Sequence, residues 1–309
     1  MYKVFIDGNQ GTTGLRIAQR LAGRKELMLL ALSEKDRKNL PSRVAMAKEA
    51  DITFLCLPDE ASRELVAALS DGEGRIIDAS TAHRTNDSFV YGFAELPEKQ
   101  EQIAGSNRVA VPGCHASGTV ALIKPLVEAE LLHSDAMLCI TSMTGYSGGG
   151  KPMIADYESE ERDINLYAPR PYAVTQKHKH LPEIMHMCGL KTAPVFQPIV
   201  MDAYSGMLVS LPIHQGMLSE YAGIAAVSKV YEDFFQNQPL VKVLQANAET
   251  SIDSIKMMGK DAMEIFVTGN DERMIVYARF DNLGKGASGA AIECMNLMLG
   301  LDKSTGLEI

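Results

Sequence analysis

A chain of 309 residues with 46% apolar and 22% charged residues is ordinary globular material, long enough for two domains. Its formal net charge of −9, with no block of Lys or Arg, argues against nucleic acid as a partner and requires any anionic ligand to find a local positive pocket. The first eight residues lack a signal-peptide pattern and no run of about 18 uncharged apolar residues occurs, so no membrane partner and a cytoplasmic location are expected.

Residues 2–7 alternate and then run apolar, which predicts a buried strand. The turn Gly8-Asn9-Gln10-Gly11-Thr12-Thr13-Gly14 follows, and residues 15–21 continue at helical spacing. Strands are predicted at 27–32, at 51–57 (stopped by Pro58) and at 75–79, with a helix at 60–69. Strand and helix in alternation predict an α/β fold with a Rossmann-type, doubly wound parallel sheet. Beyond Cys114 the texture changes. A helix is expected at 116–132 despite Pro125, then strands at 136–143, 194–201, 206–214, 263–268 and 273–280, with a helix at 219–236. Such an order predicts an α+β domain with a mainly antiparallel sheet. Residues 287–301 are apolar at helical spacing.

Three features carry chemistry. A glycine-rich turn between strand and helix lets the backbone approach a pyrophosphate and aims the helix N-terminus at it. That makes Gly8, Gly11, Thr12, Thr13 and Gly14 candidate cofactor contacts. After the second predicted strand come Ser33-Glu34-Lys35-Asp36-Arg37-Lys38. Ser33 and Arg37 suit a 2′-phosphate, hence NADP, although Glu34 suits the ribose of NAD.

The second feature is Cys114, within Val111-Pro112-Gly113-Cys114-His115-Ala116-Ser117-Gly118, at the start of a helix. There a thiolate is stabilised by free backbone N–H groups. Cys56, Cys139 and Cys294 sit in apolar runs and are expected to pack, as is Cys188; five scattered cysteines fit a reducing compartment. The third feature is His178-Lys179-His180-Leu181-Pro182-Glu183. On an extended segment the two histidines point the same way, and Pro182 opens a helix. His178 is the expected acid/base, with Glu183 as its orienter. A surface basic patch is the competing reading of this cluster. A cysteine nucleophile, a nicotinamide and an imidazole together suit reduction of an activated acyl group through a thioester.

At these residues the chain resembles the N-acetyl-gamma-glutamyl-phosphate reductases of arginine biosynthesis, in their shorter subtype. The resemblance runs through Asp7 to Leu15, Asp78-Ala79-Ser80-Thr81-Ala82-His83-Arg84, Pro112-Gly113-Cys114, Ser147-Gly148-Gly149-Gly150-Lys151, the histidine cluster, and Asp281-Asn282-Leu283-Gly284-Lys285-Gly286-Ala287-Ser288-Gly289. It implies an NADP-binding Rossmann domain from residues 1–113 and 285–309, and a catalytic and oligomerisation domain at 114–284. It implies NADPH-dependent reduction of N-acetyl-L-glutamyl 5-phosphate, with phosphate released, by a homodimer or homotetramer. It places the nucleophile on Cys114, the catalytic histidine on His178 and Asn282 near the nicotinamide. Arg84, Ser147 and His180 become candidate contacts to the acyl phosphate. A related acyl-phosphate reductase such as aspartate-semialdehyde dehydrogenase, or a non-catalytic NADP-binding regulator, are the alternatives.

Overall fold

The computed structural model describes residues 1–70 and 72–309. Two units emerge, Met1–Gly113 with Ala287–Leu307, and Cys114–Gly286 with Glu308–Ile309.

The first unit opens with β1 (Tyr2–Asp7), α1 (Thr12–Leu21), β2 (Leu27–Leu30), α2 (Leu40–Glu49), β3 (Ile52–Leu55) and α3 (Asp59–Ala68). It continues through β4 (Ile76–Asp78), β5 (Val90–Tyr91), α4 (Lys99–Gly105) and β6 (Arg108–Ala110). Its sheet has the order β2-β1-β3-β4-β6-β5 with every pair parallel. Parallel strands are covered on both faces, so β3 reads Ile-Thr-Phe-Leu with all four residues buried. The chain leaves β1 toward β2 and later returns to the other side as β3. The carboxyl ends of β1 and β3 therefore mark the switch point where such sheets take ligands.

The second unit contains α5 (Cys114–Glu128), β7 (Cys139–Gly145), α6 (Gly150–Glu158), β8 (Arg170–Pro171), α7 (Leu181–Cys188), β9 (Val195–Met201) and β10 (Met207–His214). It goes on through α8 (Ile224–Phe234), β11 (Val241–Val243), β12 (Met263–Gly269) and β13 (Arg273–Phe280). The order is β11-β12-β13-β10-β7-β9-β8. This sheet is mixed: β11 with β12 and β7 with β9 are parallel, and the remaining neighbours are antiparallel. Helix α5 lies on β10 and β13. Gly118 permits this close approach, because a Cβ there would sit 2.5 Å from Val209 Cγ2 and 2.8 Å from Phe280 Cε1. The packing fixes where the first turn of α5 points, and with it Cys114.

The chain leaves β13 through a π-turn at Gly284–Ser288 and enters α9 (Gly289–Met298). Every residue of α9 is buried, and Ala291, Ile292, Met295 and Met298 join Val4, Ile17, Phe54 and Ile77 in the first unit's core. A single helix expected from 287 onward is thus a π-turn followed by a shorter helix. Such wide turns cluster at functional sites.

Candidate active site

The glycine loop sits at the switch point of the first unit. Gly8 has φ +89°, in the region that disfavours side chains, and a Cβ there would overlap the Cys56 carbonyl oxygen. Gly14 is as tight, since its Cβ would overlap the Gly8 carbonyl. Gly11 is the N-cap of α1 and offers no side chain to cap it. The first-turn N–H groups of Thr12, Thr13 and Gly14 are thus left for an anion. The cradle fits a dinucleotide pyrophosphate. Beneath it Asp7 pairs with the buried Arg43 at 2.7 Å, and burial pushes the Asp7 carboxyl up. Burial, with the charges of Asp78 and Asp7, pushes the Cys56 thiol up to about 12. That disfavours a Cys56 thiolate.

Ser33 and Arg37 share one exposed turn. Ser33 Oγ donates to Asp36 Oδ2 at 2.6 Å, and Arg37 pairs with Glu34 at 2.6 Å. A 2′-phosphate would compete with Glu34 and Asp36 for these groups.

At the end of β4, Asp78 organises the Ser80–Arg84 segment. Its carboxylate accepts from Ser80 N at 2.8 Å, Ser80 Oγ at 2.9 Å and Ser62 Oγ at 3.3 Å, and meets His83 Nδ1 at 2.5 Å. His83 is buried and stacks on Phe89, so it is structural. The turn it braces holds Arg84, whose Nε donates to the Val111 carbonyl at 2.9 Å and whose Nη2 donates to the Ala79 carbonyl at 3.2 Å. Two main-chain anchors fix this guanidinium, which reduces the entropy lost on gripping an anion.

In the second unit Cys114 is the half-buried first residue of the 15-residue α5. Gly286 clears space for it, because a Cβ there would stand 3.0 Å from Cys114 Cβ. Of the other cysteines, Cys188 is buried, its thiol pushed up to about 12, and Cys294 Sγ donates to the Gly92 carbonyl. Cys139 is exposed at the first position of β7 rather than packed, because the apolar run 136–143 only becomes a strand there.

Four aromatic side chains gather beside the start of α5. The His115 ring lies 5.3 Å from His178, 5.6 Å from His180 and 5.5 Å from Phe196. His178 and His180 are 4.7 Å apart, edge to face. They share a side, yet not on an extended segment: His180 is already in the right-handed helical region ahead of α7. That geometry turns the His180 N–H onto His178 Nδ1 at 3.2 Å. An Nδ1 that accepts places the proton of the neutral ring on Nε2. Burial and then Lys179 push His178 down to about 4, so it is neutral at pH 7 and donates through Nε2–H. The main chain thus supplies one orienting bond to the His178 ring. Glu183 itself is buried in the first turn of α7.

Ser147 and Asn282 come together. Asn282 Nδ2 donates to Ser147 Oγ at 3.1 Å, and its Oδ1 accepts the Gly206 N–H at 3.0 Å. Asp281 beside it accepts from Ser205 Oγ at 3.0 Å and Leu283 N at 2.7 Å. The π-turn that carries Gly286 therefore starts from a pinned corner.

Sequence reasoning missed Tyr172 and Ser142. Tyr172 Oη lies 2.7 Å from His115 Nε2, and His115 Nδ1 lies 2.6 Å from Ser142 Oγ. Nothing in local spacing links positions 115, 142 and 172. Only the strand register that sets Ser142 of β7 beside α5, and the loop after β8, could reveal them.

Comparison with known proteins agrees with this geometry. Residues 3–105 match the family model described as semialdehyde dehydrogenase, NAD binding domain, and residues 114–282 match semialdehyde dehydrogenase, dimerisation domain. The chain is 43% identical over 305 residues to the N-acetyl-gamma-glutamyl-phosphate reductase of Sinorhizobium medicae, covering 96% of this chain and 98% of that one. It is likewise 43% identical over 306 residues to the protein of that name from Brucella anthropi, with 96% and 98% covered. Among solved structures, aspartate semialdehyde dehydrogenase II from Vibrio cholerae aligns with a TM-score of 0.75 at 16% identity, over 97% of this chain and 99% of that one. The enzyme from Francisella tularensis aligns at 0.70 and 14%, over 97% and 100%. At such identities the structures speak for the fold alone.

Proposed function

We propose the chemistry below from one premise: this chain belongs to the N-acetyl-gamma-glutamyl-phosphate reductase family of semialdehyde dehydrogenases. It is an NADP-dependent oxidoreductase that reduces N-acetyl-L-glutamyl 5-phosphate to N-acetyl-L-glutamate 5-semialdehyde and phosphate, in arginine biosynthesis. The observation that carries the residue assignments is Cys114 at the first turn of α5, beside two histidines whose rings are 4.7 Å apart.

In our assignment the helix start holds the Cys114 sulfur as a thiolate. The thiolate adds to the acyl carbon, phosphate leaves with the bonding pair of the C–O bond, and a thioester remains. NADPH, when bound, supplies the hydride that takes the thioester carbon to the aldehyde level. His178, neutral and protonated on Nε2, donates a hydrogen bond to the carbonyl oxygen as negative charge gathers there. Collapse of the hemithioacetal then returns the thiolate and frees the aldehyde. A thioester accepts hydride far better than a carboxylate, so the covalent step divides one hard reaction into two easier ones.

We assign the cofactor to Gly8, Gly11, Thr12, Thr13 and Gly14 at the pyrophosphate, to Ser33 and Arg37 at the 2′-phosphate, and to Asn282 at the nicotinamide. Arg84, Ser147 and His180 would meet the anionic substrate, and Glu183 would support the histidine pair. Residues 1–113 with 285–309 form the cofactor-binding part of this proposal and 114–284 the catalytic part.

A homodimer or homotetramer in the cytoplasm belongs to the same proposal. The match to a dimerisation domain supports self-association, as do exposed apolar side chains at Ile164, Tyr167, Val174 and Val195 of the second unit. Among the described residues no helix is long and apolar enough to cross a membrane.

Phosphate-dependent reduction of NADP with N-acetyl-L-glutamate 5-semialdehyde tests the reaction in reverse. Wild type should turn over and Cys114→Ala should not. Retention of substantial turnover by Cys114→Ala would sink the thioester.

A further inference from the structure

The wall beside Cys114 is backed by a short stretch of chain that the mechanism above does not use. Gly286, whose Cβ would stand 3.0 Å from Cys114 Cβ, sits in the π-turn at Gly284–Ser288. Residues 259–261 meet that turn at two points. Gly259 N donates to Asp281 Oδ2, while Asp281 Oδ1 accepts the N–H groups of Leu283 at 2.7 Å and Gly284 at 3.2 Å. A Cβ on Gly284 would lie 2.0 Å from the Lys260 carbonyl oxygen and 3.2 Å from Asp261 Oδ1, so the two segments pack directly, with no room for a side chain at Gly284.

Residues 259–261 lie between β11 and β12, outside any helix or strand. Residues 308 and 309 hold them in place. Asp261 N donates to the Glu308 carbonyl at 2.6 Å, and Glu308 N donates back to Asp261 Oδ2 at 2.8 Å. Lys260 Nζ donates to the Ile309 carbonyl oxygen at 2.8 Å. Asp261 is fully buried, so this tail grips an interior group. Residues 308–309 accordingly group with the second unit, although Ala287–Leu307 group with the first. Both residues are exposed, and exposed peripheral segments fray unless tied down; three hydrogen bonds tie this one.

We infer that residues 308–309 brace the π-turn through Lys260 and Asp261, and so act as a positioning element for the Cys114 sulfur. This rests on Cys114 being the nucleophile. Without the Glu308 N–H a buried carboxylate loses a donor, and Asp261 shifts to recover one. Its Oδ1 lies against Gly284, so the π-turn shifts with it and Gly286 follows. A small displacement of the attacking atom is enough to slow the chemistry. Every tail atom in the brace belongs to the main chain, so the length of the tail matters and its two side chains do not.

The test deletes residues 308 and 309 and follows phosphate-dependent reduction of NADP with the semialdehyde. The deletion should lower kcat about tenfold. KM for the semialdehyde, and NADPH affinity read by fluorescence, should stay near wild type. A merely structural role would lower the melting temperature and leave the kcat of the folded enzyme unchanged. Glu308→Ala combined with Ile309→Ala keeps the tail length and should restore the rate lost on deletion. A shortened enzyme with wild-type kcat overturns the inference, as does an alanine tail as slow as the deletion. If the shortened chain does not fold, Lys260→Met decides. It removes the Ile309 bond alone and should lower kcat about two- to fivefold, so an unchanged rate there overturns the inference. Failure of the nucleophile reading looks different, because Cys114→Ala would then stay active.

Discussion

Position 286 shows how little room the site leaves at the scale of one residue. A methyl on Gly286 meets Cys114 Cβ at 3.0 Å, and the Asp281 carbonyl and Phe280 Cε2 at 3.2 Å. None of the three is the loose end of a flexible chain. Gly286→Ala should cost about 1–3 kcal/mol of stability by overpacking, and at least about tenfold in kcat by displacing the nucleophile. Thermal melts and steady-state rates would separate the two effects; full activity would show that Cys114 tolerates the shift. At His178 the expected loss is about 10²–10⁴-fold in kcat on substitution by Asn, since the Nε2–H donor is gone. The nicotinamide affinity of that variant, read by NADPH fluorescence, should stay near wild type. On the cofactor side, Arg37→Ala should weaken NADP by about tenfold or more while leaving NAD little changed, because in the proposed site its guanidinium serves the additional phosphate. Equal losses for both cofactors would remove Arg37 from the 2′-phosphate site.

At the scale of the element, glycines and main-chain bonds set the loops that matter. Gly8→Ala forces a side chain into φ +89° against the Cys56 carbonyl. The turn between β1 and α1 must then open, and NADPH titration should show binding weakened by tenfold or more, about 1.4 kcal/mol at the least. Much of this was legible in advance. The strand–turn–helix at 2–21 follows from apolar period and glycine spacing, as does the run of parallel strands. Cys114 at a helix start was legible from Pro112-Gly113. The shapes that depend on tertiary contact were not. The π-turn at Gly284–Ser288 is pinned by Asp281, whose partner Ser205 lies 76 positions away. Two short strands, β5 and β8, have no apolar period to read, being two residues each. The parallel pairing of β7 with β9 was hidden because direction is not written in a strand's own composition. Likewise the Ser142–His115–Tyr172 contacts join β7, α5 and the loop after β8 and have no sequence spacing of their own.

At the scale of the molecule, acid should loosen the fold by a route that can be traced. His115 titrates near 6.5 when unfolded and at about 3 in the folded protein. Between those values the unfolded chain binds the additional proton, so stability falls as pH falls through that window and is unaffected above it. The slope is up to about 1.4 kcal/mol per pH unit for this one group. His178, held at about 4, adds in the same direction, discounted because it is only partly buried. Glu249 acts at lower pH. Arg279 and Lys256 hold its carboxylate at about 2, so its contribution is present above the ordinary carboxylate value and is lost as pH falls toward that number. Denaturant melts between pH 7 and 5 should show a shallower pH slope in His115→Gln than in wild type. Equal slopes would mean that His115 is protonated in the folded state.

Because α9 fills the core of the first unit while following the last strand of the second, synthesis order and folding order must diverge. A ribosome that has released residues 1–113 has not yet made the helix that covers Val4, Ile17, Phe54 and Ile77. The stretch 114–286 holds almost all of its own partners as soon as it emerges. The nascent chain therefore carries a half-covered nucleotide fold until the final residues appear, and a stop codon near 287 would ruin the beginning of the protein more thoroughly than its middle.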